Sequence, residues 1–107
     1  GDGNQTRDLV HVEDIVSANI FLMKDKIKKP EECLNGKVFE VGSGESVSMN
    51  YIKDFIDSKH SVKWNYAPTR PGDVRHTLAD ITELKKYGWE PKVSINEGLN
   101  RCFKKVI

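Results

Sequence analysis

The segment "EDIVSANIFLMKDKIKK", residues 13–29, constrains the fold more than any other stretch. Acidic residues stand at its front and lysines at its back, the polarity that a helix dipole favours. Ile15, Ala18 and Leu22 mark one apolar stripe, and Val16, Ile20 and Met23 mark another. A helix apolar over so much of its circumference needs neighbours on two sides. With 107 residues there is room for one domain and one marginal core, so the second neighbour is hard to supply from within.

Around that helix, strand and helix signals interleave. "DLVHV" before it alternates as a short strand, Pro30 ends it, and Asn35-Gly36 turns the chain into a second strand, "KVFEV". Ser48 is placed to cap a helix carrying Met49, Ile52, Phe55 and Ile56 on one face. "SVKWNYA" alternates with Val62, Trp64 and Tyr66 on one side, and "RHTLA" reads as a further strand. Asp80 with Glu83, and Ser94 with Glu97, have the spacing of capping boxes, and Gly88 is placed to close the first of these helices in a left-handed turn. The last helix carries Ile95, Leu99, Cys102, Phe103 and Val106. The pattern predicts a single α/β or α+β domain over residues 1–107, without internal repeats.

Charge and composition exclude several functions. Hydrophobic residues are 37% and charged residues 31%, with both signs mixed, as in a soluble globular protein. A net charge of +1 gives no basic footprint for nucleic acid. No apolar run approaches the roughly 20 residues that span a bilayer, and "GDGNQTRD" lacks the parts of a signal peptide. Cys33 and Cys102 match no metal or redox spacing and read as thiols of a cytoplasmic protein.

Few residues carry a chemical signal. Gly1-Asp2-Gly3 and Gly42-Ser43-Gly44 lack the third glycine of a dinucleotide fingerprint and the lysine of a P-loop, so each reads as a turn. His11-Val12-Glu13 lacks the Pro-Cys-x-x-Cys half of a zinc deaminase. His60 is a solvated group at a helix end, and His76 reads as structural. Three histidines and two scattered cysteines make no zinc site. In "APTRPGDVRHTLAD", by contrast, Pro68 and Pro71 stiffen a loop holding Arg70 and Asp73, with Gly72 permitting a tight reversal. A preorganised guanidinium suits phosphate oxygens, and a neighbouring carboxylate suits sugar hydroxyls. The local alternative is that Arg70 and Asp73 simply pair across the turn. Arg7-Asp8, at the other end of the chain, raises the same question.

Three segments, taken together, bear on the loop. "GDGNQTRDLVHVEDIVSAN", "GKVFEVGSGESVSMNYI" and "APTRPGDVRHTLADITELKKYGWEPKVSINEGL" resemble, in order and spacing, the carboxy-terminal third of extended short-chain dehydrogenases. Within these they are similar to the NAD-dependent nucleotide-sugar epimerases and dehydratases, such as UDP-glucose 4-epimerase. The resemblance implies a small substrate-binding lobe, with the Rossmann lobe that binds NAD and carries the Tyr-x-x-x-Lys pair absent from this chain. It implies that Arg7 contacts the diphosphate or ribose region of a UDP- or dTDP-sugar, that Arg70 is a second clamp on the diphosphate, and that Asp73 accepts bonds from the ribose. Ser46 and Val47 fall near positions that line the nucleotide pocket. Leu9 departs from the aromatic residue frequent after Arg-Asp in these enzymes.

No catalytic, cofactor-binding or metal-binding residue is expected in the chain. Gly-x-Gly-x-x-Gly does not occur, and none of Tyr51, Tyr66 and Tyr87 is followed by lysine four residues later. Two functions follow: the substrate-holding part of such an enzyme, inactive without the rest, or a truncated non-enzymatic domain that binds nucleotides weakly and self-associates. Exposed apolar surface on the first helix and an open edge at "KVFEV" would favour dimers or exchange of segments.

Overall fold

The computed structural model describes residues 1–23 and 36–104. The first expected helix is α1, Val12–Met23, with Glu13 and Asp14 in its first turn. Its expected end at Pro30 lies outside the described residues, as do Cys33, Asn35 and Val106. Burial falls on one side of α1. Asp14 and Ala18 are buried and Ile15, Phe21 and Leu22 half-buried, whereas Val12, Val16, Ile20 and Met23 are exposed. The expectation of two covered sides is therefore met on one, because the described chain supplies one packing partner.

That partner is built around α3, Thr82–Tyr87. Leu84 and Trp89 meet Ala18 in the core, with Phe21, Leu22, Phe39 and Val41 packed against them. Gly88 ends α3 at φ 114°, its N–H donating to the carbonyls of Leu84 and Lys85, the left-handed stop that its position predicts. The helix start differs from the expected capping box. Asp80 accepts from the N–H of Thr82 at 3.1 Å, Ile81 takes the cap position, and no side chain caps the helix.

The other helices follow their sequence signals. Ser48 caps α2, Met49–Asp57, its Oγ accepting from the N–H of Tyr51 at 3.0 Å. Ser94 accepts from the N–H of Glu97 at 3.2 Å at the start of α4, Ile95–Lys104. Phe55 and Phe103, ring centroids 5.7 Å apart, join these two helices.

The strands differ most from expectation. β1, Thr6–Arg7, pairs antiparallel with β2, Val47–Ser48, Thr6 facing Ser48 and Arg7 facing Val47. "RHTLA" contributes one parallel bridge, His76 to Thr6. Residues 8–12, 37–41 and 61–67 form no ladder, and Val12 instead starts α1. Alternation specifies a strand's faces but not a neighbour, and the one backbone approach to 61–67 among the described residues, Gly1 N donating to Ala67 O at 2.7 Å, builds no ladder. Val38 is accordingly 94% exposed, and Trp64 and Tyr66 also face solvent. The result is a mixed helix and strand fold of 54 × 36 × 16 Å. Its radius of gyration is 17.0 Å, against about 13 Å for a compact 100-residue domain.

Candidate functional site

The amino-terminal turn brings the first wall of the site into place. Gly3 has φ 84°, and a Cβ there would lie 2.1 Å from Asn50 Oδ1, so only glycine fits. Asn4 N–H donates to Asp2 Oδ1 at 2.9 Å, and the N–H groups of Asn50 and Met49 donate to the carbonyls of Gly3 and Gln5. Thus fixed to the start of α2, the turn leads into Gln5 and β1.

The second wall is the stiffened loop. Asp73 N–H donates to the carbonyl of Arg70 at 3.1 Å, with Pro71 and Gly72 between them and Gly72 at φ 84°, a type II turn. The strand-like continuation locks onto β1, since Thr6 N–H donates to Arg75 O at 2.9 Å and Thr77 N–H donates to Thr6 O at 3.1 Å. His76 Nδ1 and Thr6 Oγ1, 2.8 Å apart, reinforce the bridge.

Between these walls lies a cavity of about 70 Å³ lined by Gly1, Gln5, Arg7, Thr69, Asp73, Val74 and Arg75. Arg7 and Asp73, far apart in the sequence, thus share one surface. Arg7 Nη1 donates to Thr6 O at 2.7 Å, which holds the guanidinium against the wall. Asp73 Oδ2 accepts from Arg70 N–H at 3.2 Å and lies 3.8 Å from Arg70 Nε. The local pairing across the turn is therefore present. Among the described residues no donor reaches Asp73 Oδ1, which remains able to accept. Arg70 is not in the cavity wall, and its side chain is 86% exposed. Val47 adjoins the site through its pairing with Arg7, whereas Ser46 is exposed beside it.

Several site residues carried no local sequence signal. Gln5 Oε1 is buried at the cavity without a hydrogen-bond donor among the described residues. Arg75 lines the cavity and makes a two-pronged contact with Asp2, at 2.9 and 3.1 Å. Its guanidinium holds the Asp2 carboxyl at about 2, well below the usual carboxylate range. Asp8 is the largest omission. Its carboxylate accepts from the N–H and Oγ of Ser43, the N–H of Gly44 and the N–H of Ala79. Burial pushes its pKa up, but the Ser43 hydroxyl and the three backbone donors outweigh it, and the pKa lies below the ordinary value. These partners stand 35, 36 and 71 residues away, so nothing beside Asp8 in the sequence announces them.

The same contacts define the Gly42-Ser43-Gly44 loop. Its N–H groups, a ready anion nest, point at Asp8. A Cβ at Gly42 would lie 2.5 Å from that of Ala79 and 2.7 Å from Asp8 Oδ2. This glycine admits another part of the chain. A second cavity, of about 240 Å³, shares Gly1 and Gln5 with the first and extends along Asn50, Lys53, Trp64 and Tyr66. Among the described residues no three His, Cys, Asp or Glu side chains gather as metal ligands, and no helix is long and apolar enough to cross a membrane.

Comparison with known proteins adds an independent observation. The family model described as GDP-mannose 4,6 dehydratase matches residues 1–102. The chain is 33% identical to the UDP-glucuronate 4-epimerase of Thermodesulfobacterium geofontis over 94% of its own length and 30% of that protein's. It superimposes on the UDP-glucose 4-epimerase of Thermotoga maritima, solved with UDP-glucose, with a TM-score of 0.80 and 36% identity, covering 99% of this chain and 34% of that one. The UDP-glucuronic acid 4-epimerase of Bacillus cereus, solved with a fluorinated UDP-sugar and NAD, gives 0.81 at 26% identity, covering 100% and 34%. The chain spans about a third of the length of the proteins it matches.

Proposed function

We propose a function from one established premise: the chain belongs to the family described as GDP-mannose 4,6 dehydratase, among the NAD-dependent nucleotide-sugar epimerases and dehydratases. It is the part of such an enzyme that holds the nucleoside diphosphate of a sugar nucleotide. The observation that carries this reading is the shared cavity of Arg7 and Asp73. A guanidinium offers a diphosphate charge-assisted, directional bonds. Asp73, whose Oδ2 accepts from Arg70 N–H, keeps Oδ1 as an acceptor suited to ribose hydroxyls. Arg70, exposed and 3.8 Å from Asp73 on the same loop, is the second cation for the diphosphate in this reading.

These residues bind and orient; none is placed to move a proton or hydride. NAD is implied by the family, but the described residues do not fit it. The one Gly-Ser-Gly loop that could cradle a pyrophosphate is filled by Asp8, and no Gly-x-Gly-x-x-Gly occurs. Positioning energy of this kind lowers a barrier only when joined to groups that perform the chemistry.

Titration calorimetry with UDP and dTDP tests the assignment. Binding should be measurable at millimolar ligand and weaken roughly tenfold in Arg7→Ala. Absence of heat with either nucleotide would remove the reading. A second reading, self-association, is favoured by the exposed stripe Val12, Val16, Ile20 and Met23 on α1. Sedimentation should then show a dimer that Ile20→Asp converts to monomer, and a monomer at high concentration would rule it out.

A further inference from the structure

We propose that Arg75 is a further anion-positioning residue of the cavity beside Arg7, and that Asp2 is its internal counter-charge, displaced when a phosphate group arrives. The proposal rests on the nucleoside-diphosphate reading of that cavity and adds a residue and an exchange to it.

Three observations carry it. First, the cationic side chains of residues lining the cavity are Arg7 and Arg75, while Arg70 is outside the lining and 86% exposed. Second, Arg75 meets Asp2 through both prongs, Nη1 on Oδ1 at 2.9 Å and Nη2 on Oδ2 at 3.1 Å. This fork on two carboxylate oxygens is the geometry in which a guanidinium takes two phosphate oxygens, so Asp2 presents the oxygens that a phosphate would present. Third, the pair is breakable while its base is fixed. Both side chains are about half exposed, at 54% and 55%, yet the Arg75 backbone is held by Thr6 N–H on its carbonyl. The guanidinium can therefore exchange partners without moving the loop.

The exchange involves no proton transfer. Asp2 is ionised at neutral pH both paired and free, and it returns to water as the phosphate oxygens take its place. The cavity, about 70 Å³, accommodates a compact anionic group rather than a whole nucleotide, which places a phosphoryl group there and the remainder outside.

The test is a double-mutant cycle on UDP affinity in the full 107-residue chain, with inorganic pyrophosphate as a second titrant. Asp2→Asn, which keeps the turn-forming side-chain oxygen, should tighten UDP about two- to fivefold. Arg75→Gln should weaken it roughly tenfold, Arg75→Lys should fall between, and Asp2→Asn should bring no gain in the Arg75→Gln background. A gain that persists without Arg75, or no response of either anion to Asp2→Asn, would overturn the exchange. Pyrophosphate binding that Asp2→Asn strengthens, with no UDP binding at all, would support the anion site and refute the nucleotide reading. Thermal unfolding of each variant separates lost binding from lost fold.

Discussion

The nucleus around Ala18, Leu84 and Trp89 and the cavity beside Arg7 are built by opposite means. In the nucleus, apolar faces of α1 and α3 exclude water, and the carboxyl buried there among the described residues, Asp14, is satisfied by the backbone N–H groups of Lys92 and Val93 at 2.9 and 3.0 Å. Around the cavity, few residues are buried, and position is set by turns, backbone bonds and exposed ion pairs. A region held by burial resists change at every contact. One held by hydrogen bonds leaves its cations free to exchange partners. Asp8 links the two, tying the Gly-Ser-Gly loop and Ala79 to the end of β1.

Substitutions should separate these two modes of construction. The largest effect belongs to the nucleus. Leu84→Ala removes a fully buried side chain and should cost about 2–5 kcal/mol in chemical denaturation, enough to threaten the fold of so small a domain. A cost no larger than that of a surface change would break the distinction.

Asp8→Asn should cost less, about 1–2 kcal/mol, through loss of charge-assisted bonds. Because the folded pKa of Asp8 is lowered, its contribution is complete above the unfolded value, about 3.9, and is lost as pH falls through the folded one. The stability gap between the native chain and Asp8→Asn should therefore close in acid. A gap that stays constant below pH about 4 would show that the carboxylate charge does not matter.

Smallest of all is Arg70→Ala. Its side chain is 86% exposed and its contact with Asp73 is 3.8 Å long, so stability should shift by less than about 0.5 kcal/mol while UDP binding weakens. A large loss of stability would place Arg70 in the scaffold instead of the binding surface.

How much of this was legible beforehand depended on the range of the interaction. Ser48, Ser94 and Gly88 announce helix ends because a cap and its partner lie within four residues, and the structure has each of them. The Pro71-Gly72 turn is legible for the same reason. The strands read from alternation at 37–41 and 61–67 were not realised, because pairing needs a second backbone that no local pattern names. Arg7 and Asp73 were legible as members of a family pattern, whereas Gln5 and Arg75 had no local mark distinguishing them from other polar residues near a turn.

The sequence by itself determined the caps at Ser48 and Ser94, the stop at Gly88, which loop is stiff, and the family to which the chain belongs. These depend on dihedral preferences, short-range hydrogen bonds and ordered motifs along one chain. Only the tertiary structure decided that Asp8 fills the glycine loop, that one side of α1 stays open, and that Arg75 rather than Arg70 faces the cavity with Arg7. Those outcomes depend on contacts between residues tens of positions apart, where the approach of two backbones fixes which polar groups meet.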